Sequence, residues 1–72
     1  MNLANLKKGE SAIISKIEET PIIHKLMDMG CLPGEKVTLK YRAPLGDPIC
    51  IQIAGYELIL RTEEARSIQI QK

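Results

Sequence analysis

The side chains able to hold a metal ion or to serve as nucleophile and base are few: Cys31, Cys50, His24, Asp47 and a scatter of glutamates. Structural and sensing metal sites gather about three or four ligands at recognisable spacings. Here the cysteines stand nineteen positions apart with no Cys-x-x-Cys pair, and the single histidine falls on what reads as the polar side of a helix. Cys50 has the opposite parity to Ile49 and Ile51, which in a strand turns its thiol to the outer face. Exposed thiols bind metal adventitiously, so Cys31, Cys50 and His24 stand as weak candidates and no metal site is assigned. Catalysis fares worse. One histidine and two distant cysteines make a nucleophile and base only by accident of folding, and no glycine-rich phosphate loop is present. The expectation is a protein that is not an enzyme and needs no cofactor.

Binding is the chemistry left. Ala43-Pro44-Leu45-Gly46-Asp47-Pro48 joins two good strand patterns with more proline and glycine than a simple hairpin needs. Its prolines limit the backbone, so displaying Leu45 at the tip costs little ordering entropy when a partner binds. The plainer alternative is that Pro44 and Pro48 only end strands while Asp47 caps the turn through its own backbone. A second contact segment runs from Met27 to Gly34, where a helix with a broad apolar stripe ends. The two segments are expected to form one apolar-centred patch.

These segments need a scaffold, and the patterning specifies one. Ser11 to Ile17 is rich in β-branched residues after a turn at Lys8-Gly9 and reads as a first strand. Thr20 and Pro21 suit an N-cap and first helical position. Ile22, Leu26 and Met29 then follow helical spacing, with Ile23 and Met27 widening the stripe and Gly30 placed as a left-handed cap. Pro33-Gly34 is a type II turn signal. Lys36 to Arg42 alternates, Val37, Leu39 and Tyr41 on one face and Lys36, Thr38, Lys40 and Arg42 on the other. Ile49, Ile51 and Ile53 repeat the alternation, as do Tyr56, Leu58 and Leu60. Between them, Ala54 argues for a loop slightly longer than the tightest mirror-image turn, with Gly55 left-handed. A helical turn capped by Thr62 precedes a last strand that points Ile68 and Ile70 inward. The predicted fold is mainly β: a small antiparallel barrel of about five strands, with one short helix after the first strand and a helical turn before the last. Closing the barrel is expected to remove exposed edges.

Composition narrows the function classes. A chain of 72 residues makes one domain, spanning 1–72, with an aliphatic core, since it has two Tyr and neither Phe nor Trp. Little apolar area remains to wall a deep substrate cleft. Ten Lys and Arg against nine Asp and Glu leave a formal charge of +1 without a basic block. A nucleic-acid binder of this size is usually clearly basic, because phosphate neutralisation supplies most of its affinity. Small barrels that bind nucleic acid are therefore kept only as the alternative class. Met1 to Glu10 lacks the apolar run of a signal peptide, and no stretch has the length of a membrane span. A cytoplasmic protein with reduced thiols and no direct membrane insertion is expected.

Three segments together resemble a known family. Leu26-Met27-Asp28-Met29-Gly30-Cys31-Leu32-Pro33-Gly34-Glu35, then the 43–48 loop, then Gly55-Tyr56-Glu57-Leu58-Ile59-Leu60-Arg61 look like the signature of the FeoA family, in order and spacing. The resemblance covers nearly the whole chain. It implies an SH3-like barrel and a partnership with FeoB, the membrane ferrous-iron transporter that carries a G-protein domain. Carried over by position, its surface signature falls on Leu26, Gly30, Pro33 and Gly34 and on Ala43, Pro44, Leu45, Gly46, Asp47 and Pro48. Cys31 departs from the pattern, standing where relatives mostly carry a bulky apolar residue, and a small thiol fills a similar niche. The same barrel is implied for the C-terminal domain of iron-dependent repressors, but no DNA-binding helical domain accompanies it here.

Overall fold

A computed structural model describes every residue from Met1 to Lys72. A 3-10 turn at Leu3–Asn5 precedes β1 (Ser11–Ile17), α1 (Ile23–Asp28), β2 (Lys36–Arg42), β3 (Ile49–Ile53), β4 (Tyr56–Leu60), α2 (Thr62–Ala65) and β5 (Ile68–Gln71). The strands are antiparallel neighbours in one sheet of order β4-β3-β2-β1-β5. Leu60 of β4 and Ile68 of β5 come from opposite ends of that order yet share one buried cluster with Ile14, Val37, Leu39, Ile49 and Ile51. The sheet is therefore rolled around a single aliphatic core. No polar or charged residue is buried in it. No helix is long and apolar enough to cross a membrane.

Two bulges give the roll its bends and overturn two expected facings. In β2, Leu39 pairs with Ile51 but Tyr41 pairs with the adjacent Cys50, so Lys40 is an extra residue. A bulge reverses the parity of the residues beyond it. Tyr41, expected inward with Val37 and Leu39, goes to the outer face and is 48% exposed. Arg42, expected outward, turns under the sheet end and its Nη2 donates to the carbonyls of Ala4 at 2.6 Å and Leu6 at 2.8 Å. A second bulge between Ile14 and Lys16 lets both Ile14 and Ile17 pack on the core side of β1.

Rolling does not close the ladder, contrary to the expected removal of edges. β5 has its outer side covered by the N-terminal segment: Asn2 bridges to Gln69, and Ile70 donates its N–H to the Met1 carbonyl at 3.0 Å. This is the task of the N-terminal residues, whose Leu3 and Leu6 are both buried. β4 pairs with β3 alone.

The connections differ in detail from their sequence signals. The β3–β4 turn is the tightest kind after all, with Ile53 facing Tyr56 across Ala54 (φ 52°) and Gly55 (φ 86°). Ala54 accepts the left-handed strain because a mirror-image turn matches the twist of the strands it joins. α1 begins at Ile23, and Pro21 lies in the turn before it; Thr20 accepts the Ile22 N–H on its hydroxyl at 3.3 Å and the Ile23 N–H on its carbonyl at 3.1 Å.

Candidate functional site

The 43–48 loop is held from inside and from one side. Gly46 donates its N–H to the Ala43 carbonyl at 2.7 Å, and Ala43 donates to the Pro48 carbonyl at 3.0 Å, which closes the base. Gly46 sits at φ 92°, where a side chain would be strained. Contrary to the plainer expectation, the Asp47 carboxylate does not cap its own turn. Oδ1 accepts the Thr62 N–H at 2.6 Å and Oδ2 lies 3.6 Å from Arg61 Nη1, while the Thr62 hydroxyl donates to the Gly46 carbonyl at 3.1 Å. Thr62 is thus the first helical residue of α2 and is itself capped, by Asp47 reaching across from the loop. The Thr62 N–H holds the Asp47 carboxyl below its ordinary pKa, with Arg61 adding to the effect. On this braced frame Leu45 is 97% exposed, the most exposed large apolar side chain of the protein.

The helix end is built by a Schellman motif. Gly30 (φ 98°) donates to the Met27 carbonyl at 3.0 Å and Cys31 donates to the Leu26 carbonyl at 3.1 Å. That motif packs the residue after the glycine against the helix, and Leu26 and Cys31 are both fully buried. Leu26 is therefore withdrawn from the expected contact surface and belongs to the core. Gly30 is partly covered by Tyr56, whose hydroxyl donates to the Met29 carbonyl at 2.8 Å. Met27, at 38%, remains exposed, as do Pro33 and Gly34.

The loop and the helix end do not make one patch. The loop is bonded to Thr62, just past the Ile49–Leu60 pair, whereas the helix end meets Tyr56 at the Ile53–Tyr56 pair. Four residue steps of strand, about 13 Å, separate those pairs. A partner touching both segments has to span the β3–β4 hairpin.

The metal candidates are scattered as well. His24 is exposed on α1, Cys31 is in the core, and burial pushes its thiol up to about 11. Cys50 faces outward as its parity requires but is not an exposed thiol: it is 1% exposed, between its cross-strand neighbours Tyr41 and Ile59, with Sγ 3.8 Å from Glu57 Oε1. No three His, Cys, Asp or Glu side chains come together. Sequence reasoning missed Tyr56, Arg61 and Thr62 as the groups that fix both segments. Only the helix-start pattern at Thr62-Glu63-Glu64 hinted at any of them.

The family model of the FeoA domain matches residues 1–72. This chain belongs to the FeoA family. An Fe(2+) transport protein A/Fe(2+) transporter FeoB fusion protein of Porphyromonas gingivalis is 33% identical over 72 residues, covering 99% of this chain and 8% of that protein. The solution structure of iron(II) transport protein A from Clostridium thermocellum is similar with a TM-score of 0.92 at 39% identity, over 99% of this chain and 44% of that one. The crystal structure of Stenotrophomonas maltophilia FeoA complexed with zinc, described as a procaryotic SH3 domain protein, gives a TM-score of 0.88 at 25% identity, over 99% and 89% of the two chains. The chain thus spans less than half the length of the first two relatives. Its rolled five-stranded sheet is the SH3-like fold of the FeoA family, and the braced loop and Schellman helix end are the local form of the FeoA-like segments.

Proposed function

We propose that this FeoA-family chain is a non-catalytic accessory and regulatory protein of ferrous-iron transport, acting in the cytoplasm by binding the G-protein region of a FeoB-type transporter. The observation that carries the reading is Leu45, 97% exposed on a loop bonded at both its base and its flank. An apolar side chain on a pre-ordered loop gains burial on docking with little entropy lost. The Porphyromonas gingivalis relative supports the choice of partner, because there a transport protein A segment and FeoB are joined in one fusion protein. Pro44, Asp47 and Pro48 shape this contact around Leu45, with Ala43 and Gly46 supplying its backbone; Met27, Pro33 and Gly34, with Gly30 beneath Tyr56, form a second and separate contact at the helix end.

Titration calorimetry with the isolated cytoplasmic domain of the transporter tests the assignment. Leu45→Asp is expected to weaken binding at least about tenfold, the loss typical of an interface anchor. Unchanged affinity removes Leu45 from the interface. Met27→Lys, at the other end of the hairpin, reports independently on the second contact.

A further inference from the structure

We propose that β4 is a self-association edge, and that a second copy of this chain adds its own β4 antiparallel to it, with Glu57 of each copy opposite Ile59 of the other. The two sheet edges are treated differently in this fold: β5 is covered by the N-terminal segment, while β4 has a neighbour on one side only. Because the β3–β4 turn has two residues, Ile53 and Tyr56 flank it as a hydrogen-bonded pair, and the pairing alternates from there. Tyr56, Leu58 and Leu60 spend their backbone groups on β3. Glu57 and Ile59 point their N–H and C=O groups away from β3, the only strand that β4 pairs with, and none of the loop, turn or cap bonds reaches them. Arg61, the next residue of that parity, uses its N–H on Glu64 Oε1 and its carbonyl on Ala65, which ends the free edge.

Two residues with free groups, two positions apart, match themselves in one antiparallel register. Centred on Leu58, it joins Glu57 to Ile59 of the other copy twice and satisfies every free group of both edges. Centred on Ile59, it satisfies only the Ile59 pair. In the first register each outward Glu57 stands directly opposite an apolar Ile59, and the two Ile59 side chains meet on a diagonal. Each Glu57 lies diagonally across from both Arg61 and Glu57 of the other copy, one favourable and one like-charge diagonal, and no like charges stand directly opposite. Ile59, 53% exposed, and Tyr41, 48% exposed, form an apolar strip on the same face beside the edge, which the second copy partly covers. The edge carries no proline, no lysine and no bulge, and Glu57 is its one charged side chain. The contact of two five-residue strands is much smaller than a standard interface of about 800 Å² per partner, so the dimer belongs to the weak, concentration-dependent class. This surface is distinct from Leu45 and does not depend on the proposed transporter contact.

Sedimentation equilibrium from about 10 µM to about 1 mM, the range in which weak association is read, is expected to show a monomer passing to a dimer. Amide exchange measured over the same range is expected to slow at Glu57 and Ile59 and to stay constant at Tyr56, Leu58 and Leu60. Glu57→Lys, which turns both Glu57–Arg61 diagonals from opposite to like charges, and Ile59→Lys, which keeps methylenes over Cys50, are each expected to weaken the dimer about tenfold or more. A monomer throughout the range overturns the proposal. So does a dimer that keeps its affinity in a folded Glu57→Lys variant, or one whose exchange protection falls elsewhere than at Glu57 and Ile59.

Discussion

The hydroxyl of Tyr56 lies 2.5 Å from the point where a Cβ on Gly30 would stand. The same hydroxyl donates to the Met29 carbonyl at 2.8 Å, so the end of α1 is fastened to β4 through a space that only glycine leaves open. Gly30 also has φ 98°, which a side chain resists. Gly30→Ala is therefore expected to cost about 2 kcal/mol, roughly half from the left-handed backbone and half from the displaced hydrogen bond. In a Tyr56→Phe background the second half is already lost, so a double-mutant cycle by urea denaturation should show coupling of about 1 kcal/mol. Additive costs would mean that the hydroxyl moves aside freely.

Asp47 fastens the loop to α2 as Tyr56 fastens the helix end to β4. Asp47→Ala orphans the Thr62 N–H and releases the loop flank, so the denaturation midpoint is expected to fall and exchange at Thr62 and Gly46 to quicken. Asp47→Asn keeps an oxygen acceptor and should fall less.

Acid should act on the same contacts. The Asp47 carboxyl is held low by the Thr62 N–H, and Glu64 by the Arg61 N–H and Lys25. A carboxyl whose folded pKa is depressed stabilises the fold fully above its unfolded value of about 4, and this stabilisation is lost as pH falls through the folded value. Stability should therefore be flat, as far as these groups are concerned, above about pH 5 and decline below about pH 4. In the Asp47→Asn variant the decline should be shallower, as read by denaturant midpoints along a pH series.

Arg42 ties the sheet to the N-terminal segment through the Ala4 and Leu6 carbonyls. Arg42→Met leaves both carbonyls without this donor, with an expected loss of about 1–3 kcal/mol. Arg42→Lys offers a point charge in place of a planar fork and should recover only part of it. Faster exchange at Ile70, which donates to Met1, would report loosening of the segment that covers β5.

Cys31 and Cys50 should both be slow toward a thiol reagent at pH 8 and react together on unfolding. The Cys31 thiol is protonated to about pH 11 and fully buried, and Cys50 is closed in beneath Tyr41 and Ile59. Replacing Ile59 with Ala should open Cys50 alone, measured by the rate of modification of each cysteine. Leu45→Asp, by contrast, should leave both rates and the stability within about 0.5 kcal/mol of the parent.

The strands from Ser11–Ile17 to the Ile68-Ile70 pair, the aliphatic core, the helix after β1 and its glycine stop were all legible in the residue order. Each depends on chemistry within a few residues: period-two alternation, a left-handed glycine, a Pro-Gly turn. Leu45 at a loop tip was legible for the same reason, since prolines and Gly46 mark the turn that lifts it out. The FeoA resemblance, too, resided in short local segments.

Contacts between distant segments were not legible. Only the tertiary structure decided that the bulge at Lys40 sends Tyr41 out and Arg42 in, because a bulge is a mismatch between two strands and neither strand encodes it alone. It moved Leu26 from surface to core, and it set the loop and the helix end at opposite ends of one hairpin. It also gave Asp47 a helix to cap fifteen positions away, and left β4 open while the N-terminus covered β5. Local pattern specifies the elements, since backbone propensity is a property of neighbours; which side chains meet depends on how the sheet rolls, and that is settled by the whole core packing at once.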